Sequence, residues 1–250
     1  MAIQVSSDPY QEAMRHPIES LSIFFPAYND AGSIAEVVRS YHAEARRFAS
    51  DVEVVVVNDG SRDGTGEILE ALALEMPALR VVHHPRNMGY GAALTTGFSS
   101  CTHDLVFYTD GDGQYKASDM EALFEALDGD TDVVNGYKRS RGDGMGRAFT
   151  GTLYKTVTKM LFGIRIRDID CDYRLVRRRA MDGITLTSRT GVICTEMVYK
   201  WERKGCRIKE VPVSHFPRSH GRSQFFTFRH LKNAAFGLLW LFYKVRIKGS

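Results

Sequence analysis

The run Asp104-Leu105-Val106-Phe107-Tyr108-Thr109-Asp110-Gly111-Asp112-Gly113-Gln114 sets the organisation of the chain. Its first half is an apolar stretch of strand length, the pattern of a strand covered on both faces. Its second half places two carboxylates one residue apart, where that strand ends. Carboxylates so spaced point into one cleft if strand pairing stops there. Oxygen ligands of this kind suit Mg²⁺ or Mn²⁺, and Mg²⁺ usually takes one or two protein carboxylates plus substrate phosphates. Gly111 and Gly113 leave room for a diphosphate to approach the backbone. Asp and Gly are also ordinary turn residues, so this stretch alone does not separate a metal-binding edge from a polar turn.

Working outward, the same strand-then-turn unit recurs. Leu21–Phe25 reads as a first buried strand, stopped by Pro26 and turned by Tyr28-Asn29-Asp30. Ser33, with Glu36 at the capping-box position, opens a helix to about Phe48. Val52–Val57 is a β-branched second strand that ends in Asn58-Asp59-Gly60-Ser61, and a helix follows from about Gly64 to Glu75. Leu79–His83 is a short third strand, with a helix from about Gly91 to Ser100 before the strand at Asp110. A helix over Ser118–Leu127 and a strand over Asp132–Gly136 complete the first half. Strands alternating with helices predict an α/β fold with a mostly parallel sheet and helices on both faces. Ligands in such sheets sit beyond the carboxyl ends of the strands, the edge that Asn29, Asp59 and Asp110 share.

The second half is less regular. Gly142–Gly146 is a glycine-rich loop, followed by an expected helix over Arg147–Leu161. Asp168-Ile169-Asp170-Cys171-Asp172-Tyr173-Arg174 is an acidic turn entering an apolar segment. Val192–Lys204 reads as a helix, Arg207–Val213 as a strand and Phe225–Ile247 as a last helix.

A chain of 250 residues with 44% apolar and 25% charged residues suits one large domain with a full core. Net charge is +3, yet Arg218, Arg222, Arg229, Lys232, Lys244, Arg246 and Lys248 all follow Glu210, the last acid. The positive charge is thus concentrated at one end, and nothing in the total predicts a nucleic-acid partner. Cys101, Cys171, Cys194 and Cys206 lack C-x-x-C spacing, which argues for four buried, reduced thiols in a cytosolic protein. Met1–Glu19 is a polar extension without a signal-peptide core, and no window of 18 apolar residues predicts a membrane span.

Taken in order, four stretches resemble the signatures of family 2 glycosyltransferases with the GT-A fold. They are Pro26-Ala27-Tyr28-Asn29-Asp30, Val57-Asn58-Asp59-Gly60-Ser61-Arg62-Asp63-Gly64-Thr65, Asn87-Met88-Gly89-Tyr90-Gly91-Ala92-Ala93 and Asp110–Gln114. The nearest subgroup is the dolichyl- or polyprenyl-phosphate sugar transferases. Asp168–Arg174, Glu210–Val213 and Arg218-Ser219-His220-Gly221-Arg222-Ser223 point the same way, so the resemblance spans roughly Ser20 to Gln224. There are departures. Asp30 stands where Glu is commoner, and Gln224 where Lys often follows the Ser. The subgroup often carries transmembrane helices after the catalytic domain, whereas this chain stops at Ser250.

The resemblance implies a Rossmann-like GT-A domain over 20–224, after the extension at 1–19 and before a basic, aromatic, amphipathic helix at 225–250. It implies inverting, metal-dependent transfer of a sugar from a UDP- or GDP-sugar to an acceptor, with polyprenyl phosphate first and a hydroxyl second. Asp59 would meet the nucleotide base over a floor of Pro26, Ala27, Tyr28 and Asn29, with Gly89, Asp110 and Gly111 around the donor. Asp110, Asp112 and Gln114 would hold Mg²⁺ or Mn²⁺. Arg139, Arg147, Arg218 and Ser223 would meet phosphates. Glu196 and Asp170, beside Asp112, are the catalytic candidates on the acceptor side, and Asp172 lies with them. Glu196 would act as a base only for a hydroxyl acceptor, since a phosphate monoester, with its second pKa at about 6, arrives ionised.

Other chemistries fit less well. Asn87-x-Gly89-x-Gly91 invites a dinucleotide reading, but Leu94 stands at the third glycine position and the motif follows the third strand. A nucleotidyltransferase would want a Gly/Lys/Arg-rich loop where Pro26–Asn29 stands. An inactive nucleotide-binding scaffold would not need Asp110, Asp112 and Gln114 together. For the last helix, Ala234–Tyr243 is ten uncharged residues, about 15 Å of helix against a hydrocarbon core of about 30 Å. It is therefore expected either to pack on the domain or a second subunit, or to lie peripherally on the cytoplasmic face of a membrane.

Overall fold

A computed structural model of the chain describes residues 18–139, 155–217 and 236–247. Its strands are β1 Ile18–Ala27, β2 Ala49–Asn58, β3 Leu79–His83, β4 Leu105–Thr109, β5 Val133–Lys138, β6 Tyr173–Arg177 and β7 Ile208–Val213. They form one sheet in the order β3-β2-β1-β4-β6-β5-β7. Neighbours run parallel except at β6, which is antiparallel to both β4 and β5. The helices are α1 Ile34–Ala45, α2 Thr65–Glu75, α3 Tyr90–Ser100, α4 Met120–Ala126, α5 over residues 155–162, α6 Arg178–Met181 and α7 Val192–Lys204. A C-terminal helix over residues 236–242 continues as π-helical turns at Tyr243–Ile247.

Period-two alternation explains the near-continuous apolar strands. Leu21, Ile23 and Phe25 of β1, Val54 and Val56 of β2, and Leu105 and Phe107 of β4 pack with α1 on one face. Phe24, Val55, Val57, Val106 and Tyr108 pack with α3 and α7 on the other. Both faces are covered, which is why the central strands are mostly apolar and their few polar residues, such as Ser22 and Arg174, are buried with partners. The chain passes from β1 to β2 and β3 on one side, then crosses to β4 on the other. The cleft between the ends of β1 and β4 is the switch point where ligands of such sheets bind.

Three local differences from the sequence reading matter for the site. β1 runs through Pro26 to Ala27, paired with Val57 and Asn58 of β2. Pairing to β4 ends at Phe24↔Tyr108, so Pro26 has a neighbour on one side alone, where proline is tolerated. Ser33 does not make the capping-box bond expected of it. Its hydroxyl instead donates to the Gly111 carbonyl at 3.0 Å, tying α1 to the Asp110–Asp112 turn. The segment after the acidic turn is a strand, β6, and its direction is decisive. Because β6 is antiparallel, its beginning lies at the edge where β4 ends, in the register Thr109↔Tyr173. The acidic turn is thereby delivered beside Asp110.

Three of the four cysteines are buried and Cys206 is half-buried, all of them free thiols. The C-terminal helix packs on the domain through Leu238 and Leu241, with the Phe242 ring 6.0 Å from that of Phe162. Phe236, Leu239, Trp240 and Tyr243 face outward. Among the described residues, no helix is long and apolar enough to cross a membrane.

Candidate active site

The first wall of the cleft is a lacework of turns after β1 and β2. Asn29 adopts φ 57°, the left-handed region that Asn tolerates better than most side chains. Its N–H donates to Ser61 Oγ at 3.0 Å, and its Oδ1 accepts from the Arg62 N–H at 2.8 Å. The Asp30 N–H donates to Thr65 Oγ1 at 2.9 Å, and the Ala31 N–H to Asp63 at 3.1 Å. Pro26 and Ala27 close β1, where the Ala27 carbonyl accepts from the Asp59 N–H at 2.9 Å. The two turns therefore hold one another with main-chain groups, as a rigid floor requires.

Asp59 is buried and anchors the next loop. Its carboxylate accepts the Met88 and Gly89 N–H groups at 2.8 and 2.9 Å, and His84 Nδ1 lies 2.7 Å away. His84 also reaches Thr96 on α3, at 2.9 Å. The role of His84 was not legible in the sequence, where its one trace is two histidines closing a strand just before Asn87.

The second wall is carboxylate-rich. Tyr90, the first residue of α3, donates its hydroxyl to Asp110 at 2.8 Å. Burial, then the charges of Asp172 and Asp112, push the Asp110 carboxyl well above the usual range. Asp112 accepts the Gln114 N–H at 3.0 Å. Gly111 is sealed on its other side, where a Cβ would stand 2.8 Å from Ile34 Cδ1. Gln114 is partly committed elsewhere: its side-chain Nε2 donates to the Phe216 carbonyl at 2.9 Å, and its main-chain carbonyl accepts the Phe216 N–H at 2.8 Å. The donor set is oxygen-only and mutually repelling, which fits a hard divalent cation. Among the described residues, no three acidic, His or Cys side chains converge closely enough to hold an ion by themselves.

A fully buried arginine holds the acidic turn. Arg174 stands across β6 from Tyr108 on β4 and Asn135 on β5, in register with both. Its guanidinium donates to Asn135 Oδ1 at 2.6 Å, to the Tyr108 hydroxyl and to the Ile169 carbonyl. Asn135 in turn donates to the Asp168 carbonyl at 3.1 Å. Asp172 lies 3.8 Å from Arg174 and accepts from the Cys194 thiol at 3.1 Å. Lys138 donates to the Asp170 carbonyl at 3.3 Å, and Lys155 pairs with Asp168. Burial raises the Asp170 carboxyl above its ordinary value, against the pull of Lys155.

Glu196, one of the expected catalytic groups, is fully buried on α7 and surrounded by donors. It accepts from the Thr187 N–H and hydroxyl at 3.1 and 2.9 Å, the Ser188 N–H at 2.7 Å and Lys200 at 2.7 Å. Burial pushes its pKa up, but Lys200 and the Ser188 bonds outweigh it and hold the carboxyl below its usual value. A carboxylate so satisfied is a poor proton acceptor near neutral pH. What it does hold is the 187–189 segment, and that segment lies against Gly89 and Gly91. The Gly91 N–H donates to the Arg189 carbonyl at 3.0 Å. Gly89 has φ 96°, and a side chain at Gly89 or Gly91 would drive into the Arg189 or Ser188 carbonyl.

A model described as glycosyl transferase family 2 matches residues 22–185, which carry both walls except the 187–189 segment and the Glu196 helix. The chain belongs to that family. Undecaprenyl-phosphate 4-deoxy-4-formamido-L-arabinose transferase of Pseudomonas fluorescens Pf0-1 is 30% identical over 226 residues, 90% of this chain and 65% of that protein. The protein of the same name from Pseudomonas aeruginosa LESB58 is 29% identical, with the same coverage. The chain thus spans about 65% of the length of these curated relatives. Among solved structures, glucosyl-3-phosphoglycerate synthase of Mycobacterium tuberculosis with Mn²⁺, UDP and glucosyl-3-phosphoglycerate superposes with a TM-score of 0.70. That match is 16% identical and covers 96% of this chain and 86% of the other, which establishes the shared GT-A architecture.

In this family 2 domain, one sheet edge gathers Pro26, Ala27, Tyr28, Asn29, Asp59, Gly89, Asp110, Gly111, Asp112 and Gln114, with Asp170 and Asp172 arriving through β6. Arg139 is exposed just past β5, its N–H bonded to the Val213 carbonyl at 3.2 Å. Arg147, Arg218 and Ser223 lie outside the described residues, as do the glycine loop at 142–146 and residues 225–235 of the expected last helix.

Proposed function

We propose that the chain transfers a sugar from a nucleoside-diphosphate donor to a polyprenyl phosphate, with inversion and with a divalent cation. The observation that carries this reading is the carboxylate edge at Asp110, Asp112 and Asp172, next to a loop whose main-chain N–H groups the Asp59 carboxylate pins. Asp110 and Asp112 would hold Mg²⁺ or Mn²⁺, with the free oxygen of Gln114 as a further ligand and donor diphosphate oxygens completing the shell. When bound, the cation offsets the charge that gathers on the departing nucleoside diphosphate. Asp59 and the Pro26–Asn29 floor orient base and ribose, and Tyr90 fixes the Asp110 carboxyl. The catalytic unit corresponds to 20–224, in which Arg139, Arg147, Arg218 and Ser223 would meet phosphates.

The acceptor assignment draws on Glu196. Its depressed, fully bonded carboxylate suits a positioning role, and an ionised phosphate needs no base. The relatives' names agree with such an acceptor, and the neighbour's bound Mn²⁺ and UDP agree with the donor and the cation. A hydroxyl acceptor is the second reading, favoured by Asp170, whose raised carboxyl is better suited to take a proton. The outward Phe236, Leu239, Trp240 and Tyr243, with Lys244 Nζ 5.1 Å from the centre of the Trp240 ring, suit a peripheral seat on an anionic cytoplasmic leaflet. The test is transfer from UDP- and GDP-sugars to undecaprenyl phosphate in detergent, with Mn²⁺ or EDTA. Metal-dependent glycosyl-lipid formation is expected. Transfer to a saccharide hydroxyl but not to the lipid phosphate would overturn the acceptor assignment.

A further inference from the structure

Arg189 was singled out by no motif, yet the site places it with unusual care. Its backbone is fixed from two sides. The preceding residues, Thr187 and Ser188, are clamped by buried Glu196, and its own carbonyl accepts the Gly91 N–H at 3.0 Å. The approach is close because Gly89 and Gly91, on either side of the first residue of α3, lack side chains: a Cβ at Gly91 would stand 2.8 Å from Arg189 Cα. The Arg189 Cβ lies 3.9 Å from where a Gly89 Cβ would stand, so its side chain leaves the backbone beside the loop that links Asp59 to Tyr90 and Asp110.

The side chain itself is unspent. Arg189 is exposed, and among the described residues its guanidinium has no hydrogen-bond or ion-pair partner. Two cations that flank the carboxylates are, by contrast, engaged: Arg174 is fully buried and Lys138 is bonded to the Asp170 carbonyl. An anchored backbone with an uncommitted planar fork is the arrangement that bidentate recognition of a phosphate requires. A merely solvated surface charge would not need a buried carboxylate and two glycines to fix its backbone.

Resting on the transferase reading above, we propose that Arg189 is a phosphate-recognition residue of this site, contacting either the donor diphosphate or the acceptor phosphate. The experiment is Arg189→Gln in the full chain, with Arg203→Gln at the far end of α7 as an exposed control. Donor KM and acceptor KM are measured separately, with UDP- and GDP-sugars and undecaprenyl phosphate. Binding of UDP and GDP with Mn²⁺ is measured by calorimetry. Loss of a charge-assisted contact predicts a roughly tenfold to hundredfold rise in one KM, with partial rescue by Arg189→Lys and no change in Arg203→Gln. A rise in donor KM with weaker nucleotide binding assigns the diphosphate. A rise in acceptor KM with unchanged nucleotide binding assigns the acceptor phosphate. Both values within twofold of wild type, in an active wild type, would overturn this inference alone. A wild type that neither binds nucleotide nor transfers sugar would overturn the reading beneath it as well.

Discussion

The two walls of the cleft are built by different means. The wall after β1 and β2 is held by main-chain N–H groups: those of Asn29 and Asp30 donate to the Ser61 and Thr65 hydroxyls, and those of Met88 and Gly89 donate to the Asp59 carboxylate. The wall after β4 and before β6 is held by buried charge, with Arg174 beneath it and Glu196 behind it. Main-chain lacing tolerates few shapes and gives a stiff floor. Buried charges hold carboxylates near one another at the cost of desolvation, which only full sets of partners offset. The second wall should therefore be more sensitive to single substitutions, and the following outcomes would break or sharpen that contrast.

The largest effect is expected where the walls meet. Asp112→Ala should lower turnover by roughly two to three orders of magnitude, as loss of a major electrostatic stabiliser does. Nucleotide binding without metal should be little changed. Near-normal turnover of this variant in EDTA would remove the metal from the account.

Next comes the foundation of the second wall. Arg174→Leu strands Asn135 Oδ1, the Ile169 carbonyl and Asp172 in the interior. It should cost roughly 3–5 kcal/mol in urea unfolding. Asn29→Ala, in the first wall, loses one side-chain bond and a tolerant φ, and should cost about 1–2 kcal/mol. Equal costs would erase the distinction between the walls.

Glu196 offers a smaller effect with a pH signature. Its folded pKa lies below the unfolded value of about 4.3, so its contribution is present above that pH and drains as pH falls through the folded pKa. Glu196→Gln should be about 1–3 kcal/mol less stable at pH 7. The gap to wild type should narrow below about pH 4.3. A gap constant from pH 7 to pH 3 would deny Glu196 its ionised, structural state.

The same contrast explains what could be read from the sequence. Turns held by main-chain groups demand particular residues, so Asn29, Asp59-Gly60 and Asp110-Gly111-Asp112 announce themselves and their common edge. Buried charge leaves no such mark. Tyr173-Arg174-Leu175-Val176-Arg177 reads as an acidic turn entering an apolar segment, with no sign that it is a strand inside the sheet with Arg174 fully enclosed. Glu196 reads as an ordinary acid near the N-terminal end of a helix. Its donors, Thr187 and Ser188, precede the helix in a stretch without periodicity. Antiparallel insertion of β6 is a tertiary choice that neither strand propensity nor helix–strand alternation encodes, and it alone brings Asp170 and Asp172 to the site.

The central claim is that the acceptor wall positions an already ionised phosphate and supplies no general base. The most direct measurement is single-turnover transfer to undecaprenyl phosphate by Glu196→Gln and Asp170→Asn, with folding checked by circular dichroism. Rates within about tenfold of wild type are expected for both, since no proton must be removed during attack. A loss of several orders of magnitude in either folded variant would contradict the claim and move the acceptor to a hydroxyl.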